Sequence, residues 1–475
     1  MQIEQFFLDG LGHQSYFVTD GTSSMAAIVD PRRDVEVYLA AARRANTRIT
    51  HILETHIHND YVTGARELAA RTGATIVASA GAHLAYEHQP VQDGNRFQVG
   101  ELSFQVLATP GHTPEHVSYV LYKPESTTPY AVFSGGSMLV GGAGRTDLLG
   151  AGMTLTRQQY QSLRRLLETL PNSVLVYPTH GAGSFCAASA GSPSRSTTIG
   201  QERLISPAVQ AKSEEDFVKR QIAAYSAYPR YYNYMHDINQ GGPSILGSLP
   251  ELLALSPQIV QERMGTGMPL VDGRSRDIFA REHVPGSLNI ELDSSFGTYV
   301  GWLLPFNIPL MLLIEDKDGR REAVVQLVRI GYEQTQGYLE GGIASWKAAA
   351  LPVERFERID IDTLYRRWQQ RSLFTVVDVR RDDEWREGHI PDALHFHIGN
   401  LPQRLDELPR DRPLVTICRS GHRAEIAASI IAATGREVVA VQGGVPDWIA
   451  RGLPSSTDSD SALFSLHDQT THAHP

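Results

Sequence analysis

The sequence predicts a multidomain α/β protein, and three observations carry that expectation: the length, an internal repeat, and histidine groups that each follow a strand-like run. At 475 residues, and with roughly 150 residues per domain, about three domains are expected. Hydrophobic residues make up 41% of the chain and the formal net charge is -10. That balance leaves no basic excess for nucleic acid and no polybasic run for a membrane surface. The opening Met1-Gln2-Ile3-Glu4-Gln5-Phe6-Phe7 is not a charged leader followed by an apolar stretch, and no run of about 18 apolar residues occurs, so a cytoplasmic protein is expected. Cys186 and Cys418 are the only 2 cysteines, which excludes a disulfide framework and suits a reducing compartment.

The run Cys418-Arg419-Ser420-Gly421-His422-Arg423 lies between the apolar Leu414-Val415-Thr416-Ile417 and the helix-forming Ala424-Glu425-Ile426-Ala427-Ala428. A strand thus delivers a thiol to a tight turn, and the backbone N–H groups of a helix N-terminus point at the sulfur. Those dipoles, with the fixed charges of Arg419 and Arg423, favour thiolate over thiol and prepare the loop for an anion. Val377-Asp378-Val379-Arg380 and Glu387-Gly388-His389-Ile390-Pro391-Asp392-Ala393 precede the loop, and Gly443-Gly444-Val445-Pro446-Asp447-Trp448 follows it. These four ordered elements resemble rhodaneses, sulfurtransferases that hold a persulfide on cysteine. The resemblance implies Cys418 as nucleophile with Arg419 and Arg423 as its catalytic partners. Ser420, Gly421 and His422 would bind the substrate, which is a persulfide, thiosulfate or sulfite. Related phosphatases place one more residue between cysteine and arginine, so this loop suits sulfur better than phosphate.

A second copy precedes the first. Leu270-Val271-Asp272-Gly273-Arg274, Arg281-Glu282-His283-Val284-Pro285-Gly286-Ser287 and Glu340-Gly341-Gly342-Ile343-Ala344-Ser345-Trp346 echo the same three flanking signatures. After Leu310-Met311-Leu312-Leu313-Ile314, however, stands Glu315 in place of the thiol. This copy forms no cysteine persulfide, and an architectural role is expected ahead of a regulatory anion or partner site. The implied domains are 1–245, 250–356 without a catalytic cysteine, and 357–456 with Cys418, followed by a Ser-, Thr-, Asp- and His-rich segment, 457–475, that reads as a disordered tail. His467, His472 and His474 in that tail are weak metal candidates.

In the first domain Thr55-His56-Ile57-His58-Asn59-Asp60-Tyr61 follows Ile49-Thr50-His51-Ile52-Leu53, Gly111-His112-Thr113 follows Phe104-Gln105-Val106-Leu107-Ala108, and Pro178-Thr179-His180-Gly181 follows Val174-Leu175-Val176-Tyr177. Loops after strands are where an α/β sandwich gathers a site, and two imidazoles one residue apart can face one ion. This pattern resembles the metallo-β-lactamase superfamily, which implies an N-terminal αββα sandwich holding one or two metal ions. Tyr61 stands where that family's first motif ends in histidine, which disfavours its dinuclear hydrolases. Gly144-Arg145-Thr146-Asp147 is similar to a segment of the superfamily's persulfide dioxygenases, whose single Fe(II) has two histidine ligands and one carboxylate. The resemblance implies one Fe(II), with zinc as the alternative, ligands at His56 and His112, and Arg145 at the substrate. The family carboxylate is replaced by Gly136. His58 as a third histidine, Asp60 or a water as an oxygen ligand, and a decayed site are the three readings of that loss. His180 with Asp60 is either the remnant of a second metal site or, for His180, a hydrogen-bond partner of the ligands.

Cys186 reads as a buried cysteine ahead of a relay thiol, since no charge adjoins it in sequence. Gly191 to Thr198 reads as a surface loop. Ser213-Glu214-Glu215-Asp216 caps a helix, Tyr225, Tyr228, Tyr231, Tyr232 and Tyr234 cover either a seam or a substrate mouth, and Gln240-Gly241-Gly242-Pro243 reads as a linker. The function expected is oxidation of a low-molecular-weight persulfide, such as glutathione persulfide, by O2 to sulfite and thiol, coupled to sulfur transfer through Cys418. The runner-up readings are a dizinc hydrolase and a metal-free scaffold for a sulfur carrier. A homo-oligomer is compatible with the sequence.

Overall fold

The computed structural model describes residues 1–150, 152–188 and 192–457. Residues 458–475, which hold nearly all of the expected tail and its three histidines, lie outside the described residues, as does Gly191. The chain divides into two compact units, Met1–Pro250 with Val324–Glu333, and Glu251–Ala323 with the residues from Gln334 onward.

The first unit is built on two six-stranded sheets. One runs in chain order through β1 (Gln2–Leu8), β2 (His13–Thr19), β3 (Met25–Val29), β4 (Arg48–Leu53), β5 (Thr75–Ser79) and β6 (Gln89–Val91). The other runs through β7 (Arg96–Val99), β8 (Leu102–Ala108), β9 (Val117–Tyr122), β10 (Pro129–Gly135), β11 (Leu175–Pro178) and β12 (Thr197–Thr198). Successive strand residues point to opposite faces, and here both faces are apolar. Tyr16, Val18, Ala27 and Val29 meet Phe104, Val106, Tyr119 and Phe133 between the sheets. On the outer face of the first sheet, Phe17, Ala26 and Ile28 pack with Tyr38, Ala41 and Leu68 of the helices Glu36–Ala45 and Ala65–Thr72. Val120, Val132 and Val176 on the outer face of the second pack with Leu163, Leu166 and Leu167 of the helix Gly152–Thr169. The result is the expected αββα sandwich. Ser213 caps the helix Glu214–Ala223 by accepting the Asp216 N–H, as its sequence indicated. Two local readings change. Thr197 and Thr198 form an edge strand on β11 rather than loop, and Gln240 and Gly241 close the helix Tyr232–Gly241 rather than link domains.

The second unit contains the repeat. β13 (Ala254–Leu255), β14 (Leu270–Asp272), β15 (Leu288–Asn289), β16 (Leu310–Leu313) and β17 (Thr335–Leu339) form a parallel sheet of order β13-β17-β16-β14-β15. β18 (Glu357–Asp360), β19 (Thr375–Asp378), β20 (Leu394–His395), β21 (Leu414–Cys418) and β22 (Val438–Gly444) repeat it as β18-β22-β21-β19-β20. The shared signatures have the same structural job in both. Arg274 pairs with the buried Asp272 at 2.6 Å and Arg380 with Asp378 at 2.7 Å. His283 stacks on Phe279 and His389 on Trp385, with ring centroids 4.1 and 3.6 Å apart. Trp346 and Trp448 each donate an indole N–H over 2.7 Å to a proline carbonyl, of Pro352 and Pro454. These signatures therefore specify a fold, while the loop after the fourth strand of each copy, β16 or β21, specifies chemistry.

Because Trp346 and Trp448 are 3% and 0% exposed in their cores, truncating either to alanine is expected to cost about 3–5 kcal/mol. Scanning calorimetry of Trp448→Ala should show a lowered melting temperature even though Cys418 is untouched.

Candidate functional site

At the ends of β3, β4, β8 and β11 the first unit gathers a buried cluster of histidines. Asp30 follows β3 with φ of 49°, a left-handed conformation that aspartate tolerates better than most residues. Its carboxylate accepts the Thr55 N–H at 2.8 Å, the Thr55 hydroxyl at 2.7 Å and the Thr179 hydroxyl. Thr55 and Thr179 immediately precede His56 and His180, so one carboxylate fixes two of the three histidine loops. The third is fixed from the opposite side, where His112 Nδ1 bonds the Arg145 carbonyl at 2.6 Å. That bond places the proton on Nδ1 and leaves Nε2 with its lone pair.

His56, His112 and His180 close on one another, with His56–His112, His112–His180 and His56–His180 centroids 4.8, 5.1 and 5.3 Å apart. The two Nε2 atoms of His56 and His180 are 3.3 Å apart. Burial, reinforced by neighbouring histidines, holds His56 and His112 well below the ordinary imidazole value, so both are neutral at pH 7. Neutral imidazoles are what a metal ion requires. His112 Nε2, both Asp60 carboxylate oxygens and His180 Nδ1 are buried without a well-formed hydrogen bond. Orphaned polar atoms of this kind are costly unless an ion uses them, and the residues present fit a metal ion. Candidate ligand atoms fall within 4.8 Å of one another in three groups among the described residues: His56–His58–His180, His112–His180–Cys186 and Asp30–Glu54–His58.

The expected residues thus converge, with shifted emphasis. His180 stands in two of the groups, and Asp60 Oδ2 lies 3.2 Å from its Nδ1. Burial raises the Asp60 pKa, but the adjacent His180 overcomes it and holds the carboxyl at about 2. His58 lies 3.1 Å from Glu54 and 3.4 Å from Asp30. Burial opposes its charge, yet Asp30 and Glu54 together raise it to about 10, so this imidazole must lose a proton before it ligates. Gly136 could not carry the family carboxylate with His112 where it is, since a Cβ there would lie 2.1 Å from His112 Cδ2. Tyr61 is buried against His13 and His58, with centroids 4.2 and 4.5 Å away, and its hydroxyl reaches the Asp30 carbonyl. Arg145, expected at the substrate, is braced beneath the site: its guanidinium donates to Asp147 and to the carbonyls of Phe185 and Ser226 and lies over Tyr228. The tyrosine run lies here too, with Tyr225 on Thr146 and Tyr231 on the Asp60 carbonyl. A narrow cavity lined by Glu54, His56, His58, Ser79, Tyr86 and Glu115 adjoins the histidines.

Sequence reasoning missed Asp30, Glu54 and His116. His116 stacks on His56 at 5.0 Å, bonds Thr109 through Nδ1 and accepts the Gly136 N–H through Nε2, so both its nitrogens are used and it is no ligand. Asp30 did carry a signal, a strand-terminal aspartate directly before Pro31, but no spacing linked it to the histidines.

In the second unit Cys418 ends β21 and is 1% exposed. Gly421 at φ 91° turns the chain, and its N–H points at Cys418 Sγ over 3.1 Å, ahead of the helix His422–Ala432. Gly444 is required by space alone, as a Cβ there would lie 1.8 Å from the Arg419 carbonyl oxygen. Arg423 is clamped by Glu384 through bonds of 2.6 and 2.8 Å, while Arg419 is exposed. The first copy supplies a wall: Tyr299 meets His422 edge-on at 5.1 Å, and Trp302 meets His397 at 5.0 Å. Glu384 and Tyr299 left no trace in the loop sequence, being 39 residues distant in one case and on the other copy in the second.

Residues 8–180 match the family model of the metallo-beta-lactamase superfamily, and residues 256–349 and 361–451 match that of the rhodanese-like domain. A metallo-beta-lactamase from Staphylococcus aureus is 30% identical and superposes with a TM-score of 0.64, covering 71% of this chain and 98% of its own. The chain belongs to the metallo-β-lactamase superfamily, with two rhodanese-like domains following. Among curated relatives, the mitochondrial persulfide dioxygenase ETHE1 of Homo sapiens is 29% identical over 214 residues, 43% of this chain and 74% of that protein. A hydroxyacylglutathione hydrolase of Rhodospirillum rubrum is 37% identical over 167 residues, which are 35% of this chain. The match spans 60% of that hydrolase's length. The superfamily fold and the histidine and aspartate cluster together make this a metal-binding site. No helix among the described residues is long and apolar enough to cross a membrane.

Two outcomes follow. Asp30→Ala leaves His58 buried with one carboxylate partner fewer and frees two histidine loops; it should cost about 3–5 kcal/mol and lower metal content, read by thermal melts and elemental analysis. Burial raises the Glu384 pKa, but Arg423 overcomes it and holds the carboxyl at about 2 against an ordinary 4.5. A depressed carboxylate stabilises the fold above its unfolded value, and that stabilisation is lost as pH falls through the folded value. Wild type should therefore melt above Glu384→Gln at neutral pH, by about 3 kcal/mol, and the gap should close as pH drops from 4.5 toward about 2.

Proposed function

We propose that the first unit oxidises a low-molecular-weight persulfide of the glutathione persulfide class with O2 at a single iron site, and that Cys418 carries sulfane sulfur. The observation that carries this reading is the pairing of neutral, preoriented His56 and His112 with a thiol cradled by the Gly421 N–H on the same chain. The likeness to a persulfide dioxygenase over 214 residues supports it. Tyr61 disfavours the hydrolase alternative, because it stands where the superfamily's first motif ends in histidine.

His56, His112 and His180 would hold the ion, with Asp60 as the nearest oxygen donor and His58 as a further nitrogen. Bound Fe(II) would supply activation of O2; zinc, the alternative occupant, would not. Arg145 keeps the His112 tautomer fixed through its carbonyl. The buried Tyr61, Tyr231 and Tyr232 would keep bulk water from the site. In overall balance, persulfide, O2 and one water give thiol, sulfite and two protons.

At the second centre, Cys418 thiolate attacks the sulfane sulfur of thiosulfate or of a persulfide. A new S–S bond forms, the old one breaks, and sulfite or thiolate leaves with the bonding pair. The Gly421 N–H and the charge of Arg423, kept in place by Glu384, stabilise the resulting persulfide anion. An acceptor thiolate or sulfite reverses the step. Ser420 and His422 complete the loop that binds the substrate, and Arg419, exposed at its rim, attracts the incoming anion.

Oxygen uptake by anaerobically Fe(II)-loaded Cys418→Ser protein given glutathione persulfide tests the first half without interference from sulfur transfer. Uptake with release of sulfite, abolished by His112→Ala, is expected; an iron-loaded sample that consumes no O2 contradicts the reading.

A further inference from the structure

We propose that Cys186 is a metal ligand, its thiolate supplying the negative charge that Gly136 cannot. This inference rests on the metal-site reading above and deepens it. Cys186 is fully buried, and its Sγ lies within 4.8 Å of a ring nitrogen of each of His112 and His180. His112 Nε2 is itself 1% exposed by residue and has no hydrogen-bond partner, which makes it a second, independent pointer to an ion at this spot.

The backbone builds the arrangement. Arg145 accepts the His112 Nδ1–H on its carbonyl and donates its own N–H to the Cys186 carbonyl over 2.8 Å. One residue therefore orients both donors, and the bridge between Gly144 and Ala187 continues that pairing. Gly144 has to be glycine for this close approach, since a Cβ would lie 2.4 Å from the Gly136 carbonyl oxygen and 2.7 Å from His112 Nδ1. Ser184 accepts the Cys186 N–H at 3.1 Å and closes the turn.

Charge and chemistry agree with the geometry. With imidazole ligands contributing no charge, one thiolate leaves a divalent ion with one net positive charge, as one carboxylate would. Asp60 lies beside the thiol, and a carboxylate beside a thiolate in a buried site calls for a cation between them. The Tyr232 hydroxyl also lies beside the sulfur, the kind of outer contact that orients a ligand. A sulfur donor shifts the site's preference toward zinc and iron and away from magnesium or manganese. Binding would release the thiol proton to solvent, with no change in the oxidation state of sulfur or metal.

Cobalt(II) substitution reads this directly, because cobalt bound by thiolate shows an intense near-ultraviolet charge-transfer band, whereas nitrogen and oxygen ligands give only weak visible bands. Full-length Cys418→Ser protein loaded with one cobalt should show the band, and Cys418→Ser/Cys186→Ser should lose it. X-ray absorption of the cobalt-loaded Cys418→Ser protein, which keeps Cys186 and so does not depend on that variant folding, should place one sulfur at about 2.3 Å. Bound cobalt with visible bands but no sulfur signal, or a band that survives loss of Cys186, overturns the assignment while leaving the metal site intact. No cobalt binding at all overturns both the assignment and the metal reading.

Discussion

The first unit depends on the buried carboxylate of Asp30. Three segments meet at this residue: Thr55 and Thr179 bond its side chain, and His13 and Tyr61 reach its carbonyl. A charged group held without water is tolerated only when its hydrogen bonds are satisfied, so Asp30 compels the loops after β3, β4 and β11 to close together. His58 adds the compensating charge. The clustered histidines inherit their positions from this arrangement, since His56 and His180 follow the threonines that Asp30 holds.

The second unit separates fold from chemistry by duplication. Both copies keep the Asp–Arg pair, the stacked histidine and the tryptophan that closes the core. Only one keeps a thiol, and the glutamate that replaces it in the other is exposed. What the first copy retains is a surface: Asn289 donates its N–H to Ser429, and Arg358 of the second copy pairs with both Asp277 and Glu425. Its helix Phe296–Leu303 brings Tyr299 and Trp302 beside the loop of Cys418. A domain without a nucleophile thus shapes the pocket of its neighbour.

Much of this was legible in the sequence, for physical reasons. Strand periodicity marked the ends of β4, β8, β11 and β21, and ligands at strand ends announce themselves by type and position. The duplicated signatures revealed the repeat because each is a local structural device. Contacts made across the fold stayed hidden. Asp30 lies 25 residues from Thr55 and 149 from Thr179, and Glu384 reaches Arg423 from 39 residues away. Arg145 illustrates the converse: a motif matched the persulfide dioxygenases, yet tertiary bonding commits its guanidinium to bracing. In the sequence Cys186 reads as a buried cysteine ahead of a relay thiol, because the groups around it come from distant segments.

As proposed above, the first unit holds a single metal ion, and Tyr61 stands where the superfamily's first motif ends in histidine. Anaerobic titration of metal-free protein with Fe(II), followed by elemental analysis after gel filtration, measures this most directly. One iron per chain, lost in His112→Ala and unaffected by Cys418→Ser, is the predicted result; two ions per chain in the first unit, or one that persists without His112, would contradict it.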